Sequence, residues 1–567
     1  MAGGNLTATT VTNTATFNNV ATDDSSRKEV DRIYDEQAVG TTFSAGGNAV
    51  LAAAGTDTSK GNVTLTGSTL TAGTGAAIIA ASGDVNVNEA REEHDSYVAT
   101  GSKRGSAFHS STTDTTQDTH ANIGVGSTVA GDSVSISAGK DLTVKGSTVA
   151  GTNDVNLTAA GNVNITTSQD SETTSTYYQK HESGFGTSGG IGISVGSKTQ
   201  TDTTNTSQVT NTGSTVGSLA GNLNIVAGND LHVTGSDLIA AQNVTGNGAN
   251  VIIDAATDTT HHDESHAVKQ SGFTLAVKAP VLDAISNAAG QAHAASNSKD
   301  DRAAALHGMA AASAAWDANM AAGGLVNDLA AGTTPQMKVE LSFGSSSSKS
   351  TYSEGSTTSV GSSVNAGGTV VFAATGNATP GSGNVTIAGS NVNASDVILA
   401  AKNQVNIVNT TDTDSTRSSN ESQSASVGIS YGTGGFGVSA AMSKANGDGN
   451  SDLATRNNSR VIASNTVTII SGGDTNIIGS NVSGNQVSAD VGGNLNIASV
   501  QDTLVSSAHQ SSARGCDDGR RWCELQHARQ YVGQEYRWCF ADAGSARQQQ
   551  RQRDDKERRQ RGHDHGD

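Results

Sequence analysis

The chain has 567 residues, of which 67 are Gly and only 3 are Pro, with 4% aromatic side chains and a formal charge of −19. So few aromatics exclude a string of ordinary compact domains with large cores, and the acidic balance excludes nucleic acid as a partner, since phosphate binding needs a basic surface. A diffuse acidic surface instead keeps an elongated molecule soluble.

From the N-terminus, Met1 leads directly into repeat-like sequence, as expected of a truncated chain, and residues 1–45 read as a truncated first repeat with a partial arm. No basic leader followed by an apolar run opens the chain, and no stretch approaches ~18 apolar residues, so neither a signal peptide nor a transmembrane segment is expected. Residues 46–70, GGNAVLAAAGTDTSKGNVTLTGSTL, match residues 367–392, GGTVVFAATGNATPGSGNVTIAGSNV, nearly unit for unit. Shorter relatives lie at 132–149, 221–238 and 465–482.

Within each unit, three-residue apolar–polar–apolar steps such as Val134-Ser135-Ile136 and Leu142-Thr143-Val144 put two apolar side chains on one face of a short strand. The steps recur at a fixed interval. Val134 and Val155 are 21 apart, as are Leu142 and Val163, Leu223 and Val244, and Leu231 and Ile252, while Val385 and Val405, and Val467 and Val487, are 20 apart. A period near 20 residues with short strands is a solenoid coil, whose core closes only when coils stack. Gly before Asn or Asp is expected to supply corners with positive φ. Val163 is expected inside the column, where a carboxylate would be intolerable, and Ser168, in the neighbouring arm, is expected to tolerate the same change. Ten to twelve such coils would make a column of roughly 50–60 Å.

Polar excursions rich in Ser, Thr, Asp and Glu leave the coils near Ala90, Thr166, Ala256, Asn409 and Gln501. The fourth carries Val427, Ile429 and Tyr431, then GTGG, then Phe436, Val438 and Ala440. Two alternating strands about a Gly-rich turn predict a β-hairpin arm. The second excursion repeats the pattern with Phe185, GTSGG, Ile191, Ile193 and Val195. In the third, Phe273, Leu275 and Val277 face Val339, Leu341 and Phe343 across an Ala-rich insertion at 280–335. There Leu306, Met309, Ala312, Trp316 and Met320 recur at three- and four-residue steps between Pro280 and Pro335, which predicts helices. Leu306, Met309 and Trp316 are the candidate partner-contact residues, because an apolar patch on a surface protein is either packed or a contact site.

The coils and arms fill 46–279 and 336–513, and the composition then breaks. Residues 1–513 hold no Cys, one Trp and 8 Arg, whereas residues 514–567 hold Cys516, Cys523, Cys539, Trp522, Trp538 and 11 Arg. Arg, Trp and Cys are what a GC-rich Gly/Ser coding region yields out of frame, so 514–567 reads as a frameshifted or disordered end, with a genuine basic terminal segment as the alternative.

No catalytic motif is found, so no enzyme, cofactor or metal is expected. His261, His262, Asp263, Glu264 and His266 carry metal-capable groups without zinc spacing. Asp84, Asp141, Asp230 and Asp474, each beside a Gly step, are expected to shape turns; calcium-binding Gly-rich nonapeptides are absent.

The Gly-Asn-Val/Leu-Xaa-Ile/Val units, the Gly-Ser-Xaa-Val/Leu steps and the Ser/Thr-rich arms resemble the haemagglutinin repeats of filamentous haemagglutinins and of contact-dependent growth inhibition effectors, over residues 5–510. The resemblance implies a right-handed parallel β-helix serving as a shaft on the bacterial cell surface. It also implies export through an outer-membrane β-barrel transporter, a receptor on a host or neighbouring cell, and a C-terminal toxin in the inhibition effectors. This sequence shows no N-terminal secretion domain, no Val-Glu-Asn-Asn boundary motif and no recognisable toxin. A polysaccharide-binding or -cleaving β-helix is the alternative within the same architecture, and it requires an acidic and aromatic groove. An intracellular toxin or immunity module would require a compact terminal domain.

Overall fold

The computed structural model describes residues 1–23, 27–55, 60–106, 109–187, 193–276, 339–432, 435–516 and 528–538. Every regular element among them is a strand. The strands form two structures, a parallel β-helix and one long antiparallel sheet.

Each coil of the helix has three sides. In one coil these are Thr69–Ala72, Ala76–Ala81 and Val85–Asn88. Each strand pairs in parallel with its counterparts one coil before and after, and the third side alone is an 11-stranded ladder. At ~4.8 Å per strand that column is about 50 Å tall. Alternation decides what faces inward: Val63 and Leu65, Val85 and Val87, Leu142 and Val144, and Val163 and Ile165 are all fully buried, while Thr64, Asn86, Thr143 and Asn164 between them are not. Most of the buried apolar residues form one cluster running from Ala8 to Ile469, with Ala150 and Ile239 in a small second one. Phe372 is the largest fully buried side chain, and it stands directly over Gly246 in the preceding coil. A Cβ on Gly246 would lie 2.7 Å from the Phe372 ring, so the large residue fills the space that the glycine leaves.

The 20- to 21-residue period corresponds to real neighbours. Val134 pairs with Val155, Leu142 with Val163, Leu223 with Val244, Val385 with Val405 and Val467 with Val487. One expected pairing is corrected. Leu231 lies beside Val251, and Ile252 lies beside His232 on the outward face. The corner between Val244–Gly248 and Val251–Asp254 is one residue shorter than its predecessor, and a one-residue slip exchanges inside for outside.

All the excursions read as hairpins are hairpins, and Val11–Asp23 with Arg27–Val39 makes a further one in the N-terminal segment. They do not stand apart from one another. The return strand of each pairs with the outgoing strand of the next, which fuses them into a 12-stranded antiparallel sheet. Strand spacing explains why this works. Arms leave the helix at every second coil, so two coil rises separate successive arms, and a hairpin is two strands wide. Both steps are about 10 Å, so the two ladders climb together.

Asp502–Cys516 continues the sheet across the composition break at 514, and Ala528–Trp538 pairs with it. No α-helix occurs among the described residues. The Ala-rich helical insertion expected at 280–335 lies outside them.

Candidate functional site: the junction of column and arms

The side chains that organise this molecule lie at the corner where chain passes from the third side of one coil to the first side of the next. Alternate coils turn this corner directly, through Gly67-Ser68, Gly146-Ser147, Gly235-Ser236 and Gly389-Ser390. These glycines have φ between 53° and 58°, the left-handed region that a Cβ disfavours. In the other coils an entire arm is inserted at the same corner, and the chain re-enters at Ser127, Ser214, Ser362 and Ser459.

Serine performs the same task in both kinds of coil. The backbone N–H of Ser68 donates to the hydroxyl of Ser127, and the pattern continues through Ser147, Ser214, Ser236, Ser362, Ser390 and Ser459 at 3.0–3.2 Å. Each hydroxyl in turn donates to the last carbonyl of a third-side strand. Ser68 reaches Thr66 O at 2.8 Å, two residues back, and Ser127 reaches Asn88 O at 2.7 Å across the whole intervening arm. Ser214 to Thr166 O and Ser362 to Asp254 O, both 2.7 Å, repeat it. The hydroxyl therefore clamps the departure and return points of each arm at the separation of an ordinary corner, whatever the arm's length. All eight serines are buried, where an unmade bond would cost the full desolvation of its group.

A second device joins arm to arm. An acidic residue close to the start of each outgoing strand accepts the penultimate N–H of the preceding return strand. Glu92 takes Ala38 N–H at 2.6 Å, Asp170 takes Gly124 at 2.7 Å, Asp258 takes Asn211 at 2.7 Å, Asp412 takes Ser359 at 2.8 Å and Asp502 takes Arg456 at 2.7 Å. These N–H groups sit where the inter-arm ladder stops, so the carboxylates satisfy donors the sheet leaves over. Asp258 is the most enclosed. Burial raises its carboxyl above the usual range, and its bonds from the Asn211 side chain and backbone oppose that shift.

Ser168 belongs to this junction, and the expectation that it tolerates a charge is withdrawn. It is 1% exposed, its hydroxyl accepts from Arg91 Nη1 at 3.1 Å, and Cβ atoms built on Gly124 or Gly146 would collide with it. Polar sequence alone gave no sign of its burial.

The Gly-Asn and Gly-Asp steps occupy a different corner, between the second and third sides, and the expected positive φ holds there at Gly376 and Gly383, before Asn377 and Asn384, but not in other coils. Gly83 and Gly161 are not among the positive-φ glycines. They leave room for a side chain from the coil below: Asn62 Oδ1 accepts Asp84 N–H at 2.8 Å, and a Cβ on Gly83 would lie 2.0 Å from that oxygen. Asp141 Oδ1 accepts Asn162 N–H at 2.7 Å beneath Gly161 in the same way. Asp84, Asp141, Asp230 and Asp474 all accept from the next coil's backbone, as turn-shaping residues should.

The His261–His266 group does not assemble. His261 pairs with Asp263 at 3.0 Å, His262 bonds Thr206 at 2.9 Å, and His266 pairs with Asp202 on the neighbouring arm. Strand alternation puts His261 and Asp263 on one face and His262 and His266 on the other. Among the described residues no three His, Cys, Asp or Glu side chains approach a common centre. An open depression of about 500 Å³ on the arm sheet is lined by Asn205, Asp263, Tyr352, Arg417 and Asp448, with Tyr352 its single aromatic. The bond from Ser353 holds the Asp263 carboxyl below its ordinary range, which unfits it as a proton donor near neutral pH. Leu306, Met309 and Trp316 lie outside the described residues.

Comparison with known proteins agrees with this architecture. The family model described as hemagglutinin repeat matches residues 20–126, 106–272 and 341–514. The tRNA nuclease CdiA-2 of Burkholderia pseudomallei (strain 1026b) is 47% identical over 82% of this chain and 15% of its own length. Toxin CdiA of Yersinia pestis is 34% identical over 69% of this chain and 12% of its own, and the 16S rRNA endonuclease CdiA of Enterobacter cloacae subsp. cloacae is 35% identical over 77% and 13%. The chain thus spans less than a sixth of the length of each of these relatives. No solved structure matches it.

Proposed function

Because the chain belongs to the hemagglutinin-repeat family, we propose that it is a non-enzymatic shaft segment of a secreted bacterial surface exoprotein, which holds a C-terminal toxin away from the producing cell and presents it to a neighbour. The observation that carries this reading is the unbroken apolar column from Ala8 to Ile469 with an arm sheet fixed alongside it. A column of stacked coils flanked by a sheet of equal rise resists bending in the plane that contains both.

The nuclease activities in the relatives' names belong, on this reading, to parts of those proteins outside the shared segment. Export through an outer-membrane β-barrel transporter suits the construction. Each coil needs only its predecessor to fold against, and residues 1–513 contain no Cys, so the segment assembles coil by coil without disulfides as it emerges. A receptor on the target cell completes the scheme.

The test is removal of one complete unit, residues 128–214, which joins Ser127 to Thr215 and takes out two coils and one arm. In the full-length exoprotein this should leave surface display intact and shorten the shaft by about 10 Å, two strand spacings, as read by electron tomography. The purified chain should leave tRNA uncut. Loss of display on removing the unit, or tRNA cleavage by the purified chain, would overturn the reading.

A further inference from the structure

The second side of the column presents its outer surface to solvent along its whole height. Ten strands stack in register there, from Ala49–Ala53 at one end to Gln486–Val491 at the other. Arms are inserted only at the corner between the third and first sides, so none borders this surface. Two outward rows run up it. They begin apolar, with Val50 and Ala52, then Ile78 and Ala80. They turn polar at Ser135 and Ser137, and at Asn156 and Thr158. Above Asn224–Val226 and Thr245–Asn247 they become apolar again, with Val371 and Ala373, Ile398 and Ala400, and Thr468 and Ile470. Val50 is 56% exposed, Val226 42% and Ile470 43%. Among these described positions none is charged before Asp490 on the last strand.

A flat surface with apolar stretches and no central charge has the make-up of an interface core. Its size fits as well. Ten strands at ~4.8 Å by five residues at ~3.3 Å cover about 800 Å², the area each partner contributes to a standard complex. Charge is confined to the rims. On the third strand Asp132 stands at one edge and Lys140 at the other, symmetric about Ile136; on the eighth, Asp396 and Lys402 are symmetric about Leu399. Lys140 lies 3.4 Å from Asp84 of its own chain with its side chain still 60% exposed, and Lys402 is exposed.

Two such sheets pack face to face about a twofold axis in either of two ways. An axis along the strands runs the columns antiparallel and sets the third strand against the eighth. Asp132 then opposes Asp396, Lys140 opposes Lys402, and Ile398 and Val371 meet Ser135 and Asn156. An axis along the column runs the copies parallel, and each strand meets its own counterpart reversed. Val371 then packs on Ala373, Ile398 on Ala400 and Ile470 on Thr468 of the other copy, large on small. At the rims Asp132 faces Lys140 and Asp396 faces Lys402. Only the parallel arrangement matches both the apolar stretches and the charges.

We propose that the outer surface of the second side pairs two copies of this chain as a parallel, face-to-face dimer. The pairing uses the column alone and is independent of what the shaft carries.

Sedimentation equilibrium of the full chain tests it, with reductant present so that Cys516, Cys523 and Cys539 cannot link copies. A monomer–dimer equilibrium with a micromolar or tighter dissociation constant is expected. Ile398→Asp with Ile470→Asp puts carboxylates into the interface and should weaken the dimer at least ~30-fold, with the far-ultraviolet strand signal retained. Thr386→Asp, on the outer face of the third side, should leave association unchanged and controls for added charge. Lys402→Glu reads the orientation. In the parallel dimer it sets a carboxylate against Asp396 and should weaken association roughly 3–10-fold, whereas in the antiparallel one it would relieve Lys140 and strengthen it. Because Lys402 is exposed at a corner, this variant keeps the test decisive should the double change unfold its coils. A protein that stays monomeric well above micromolar concentration would overturn the proposal. So would association that ignores Ile398 and Ile470, open-ended growth through the ends of the column, or a dimer tightened by Lys402→Glu.

Discussion

The column and the arm sheet are built on the same strand spacing and held by different forces. In the column, Val163, Leu231 and Ile387 are fully buried, and burial of apolar area supplies the cohesion. In the stem of the arm sheet both faces meet solvent, and the pairs between strands are Thr100 with Thr115 at 2.5 Å, Thr357 with Thr413 at 2.7 Å, and His94 with Asp35 at 2.5 Å. Such cross-strand pairs are each worth only about 0.2–1 kcal/mol. The lesson is that a hydrophobic solenoid sets an axial rise to which a nearly coreless sheet can be fastened, provided the fastening points are exact repeats. The corner serines and the acidic latches are those points.

Substitutions should separate the two regions by size of effect. The largest is expected from Val163→Asp, which buries a charge without a partner and should cost about 3–5 kcal/mol, read as early proteolysis of its coil. A Val163→Asp protein as resistant as the parent would remove the column from the account. Next, Ser214→Ala should cost about 1–2 kcal/mol, because it deletes the bond to Thr166 O and strands the N–H of Ser147. Amide exchange should rise in the arm Ser168–Thr212 more than in the coils beside it. An increase confined to the coils would mean the hydroxyl does not close the arm. Asp258→Ala should act in the same range, about 1–3 kcal/mol, and loosen the seam between two arms without touching the column. Thr115→Ala should be the smallest, roughly 0.2–1 kcal/mol.

A pH effect should sharpen the contrast. The bond to Asp95 raises the imidazole of His120, on the arm sheet, above its ordinary value. The stability this supplies is complete below the unfolded imidazole pKa of about 6.5 and is lost as pH rises through the higher folded value. Arm amides near His120 should therefore exchange faster, once corrected for intrinsic rates, as pH climbs through that window. His232 on the column is raised in the same sense by Asp254, but its neighbours Leu231 and Val233 are fully buried, and their exchange should barely move. Equal responses at both places would erase the distinction.

These differences also explain what the sequence could disclose. Val134, Val155, Leu142 and Val163 announce the coil because a one-sided apolar pattern encodes both face and period. The hairpins were legible from their turns and alternating tips. Their lateral fusion was not, because strands polar on both faces carry no register signal. The latch acids Asp170, Asp258 and Asp412 look like any solvated carboxylate until the preceding return strand is placed beside them. Ser127 and Ser214 were visible as Gly-Ser-Xaa-Val steps, but a clamp across an entire arm has no local signature. Ile252 was misplaced because apolar residues at 251, 252 and 253 fit two registers equally, and only the short corner before them chooses between the two.

The central claim, that neighbouring arms are bonded edge to edge in one register, is tested most directly by cross-linking. Thr201 and Ala267 stand opposite each other on adjacent arms, and facing positions in an antiparallel pair lie within disulfide reach. With Cys516, Cys523 and Cys539 changed to Ser, the pair Thr201→Cys/Ala267→Cys should oxidise nearly completely under native conditions, as mapped on non-reduced peptides. The offset pair Thr201→Cys/Ser271→Cys should scarcely react. Equal yields from the two pairs, or none from the first, would show that the arms project separately and that no continuous sheet accompanies the column.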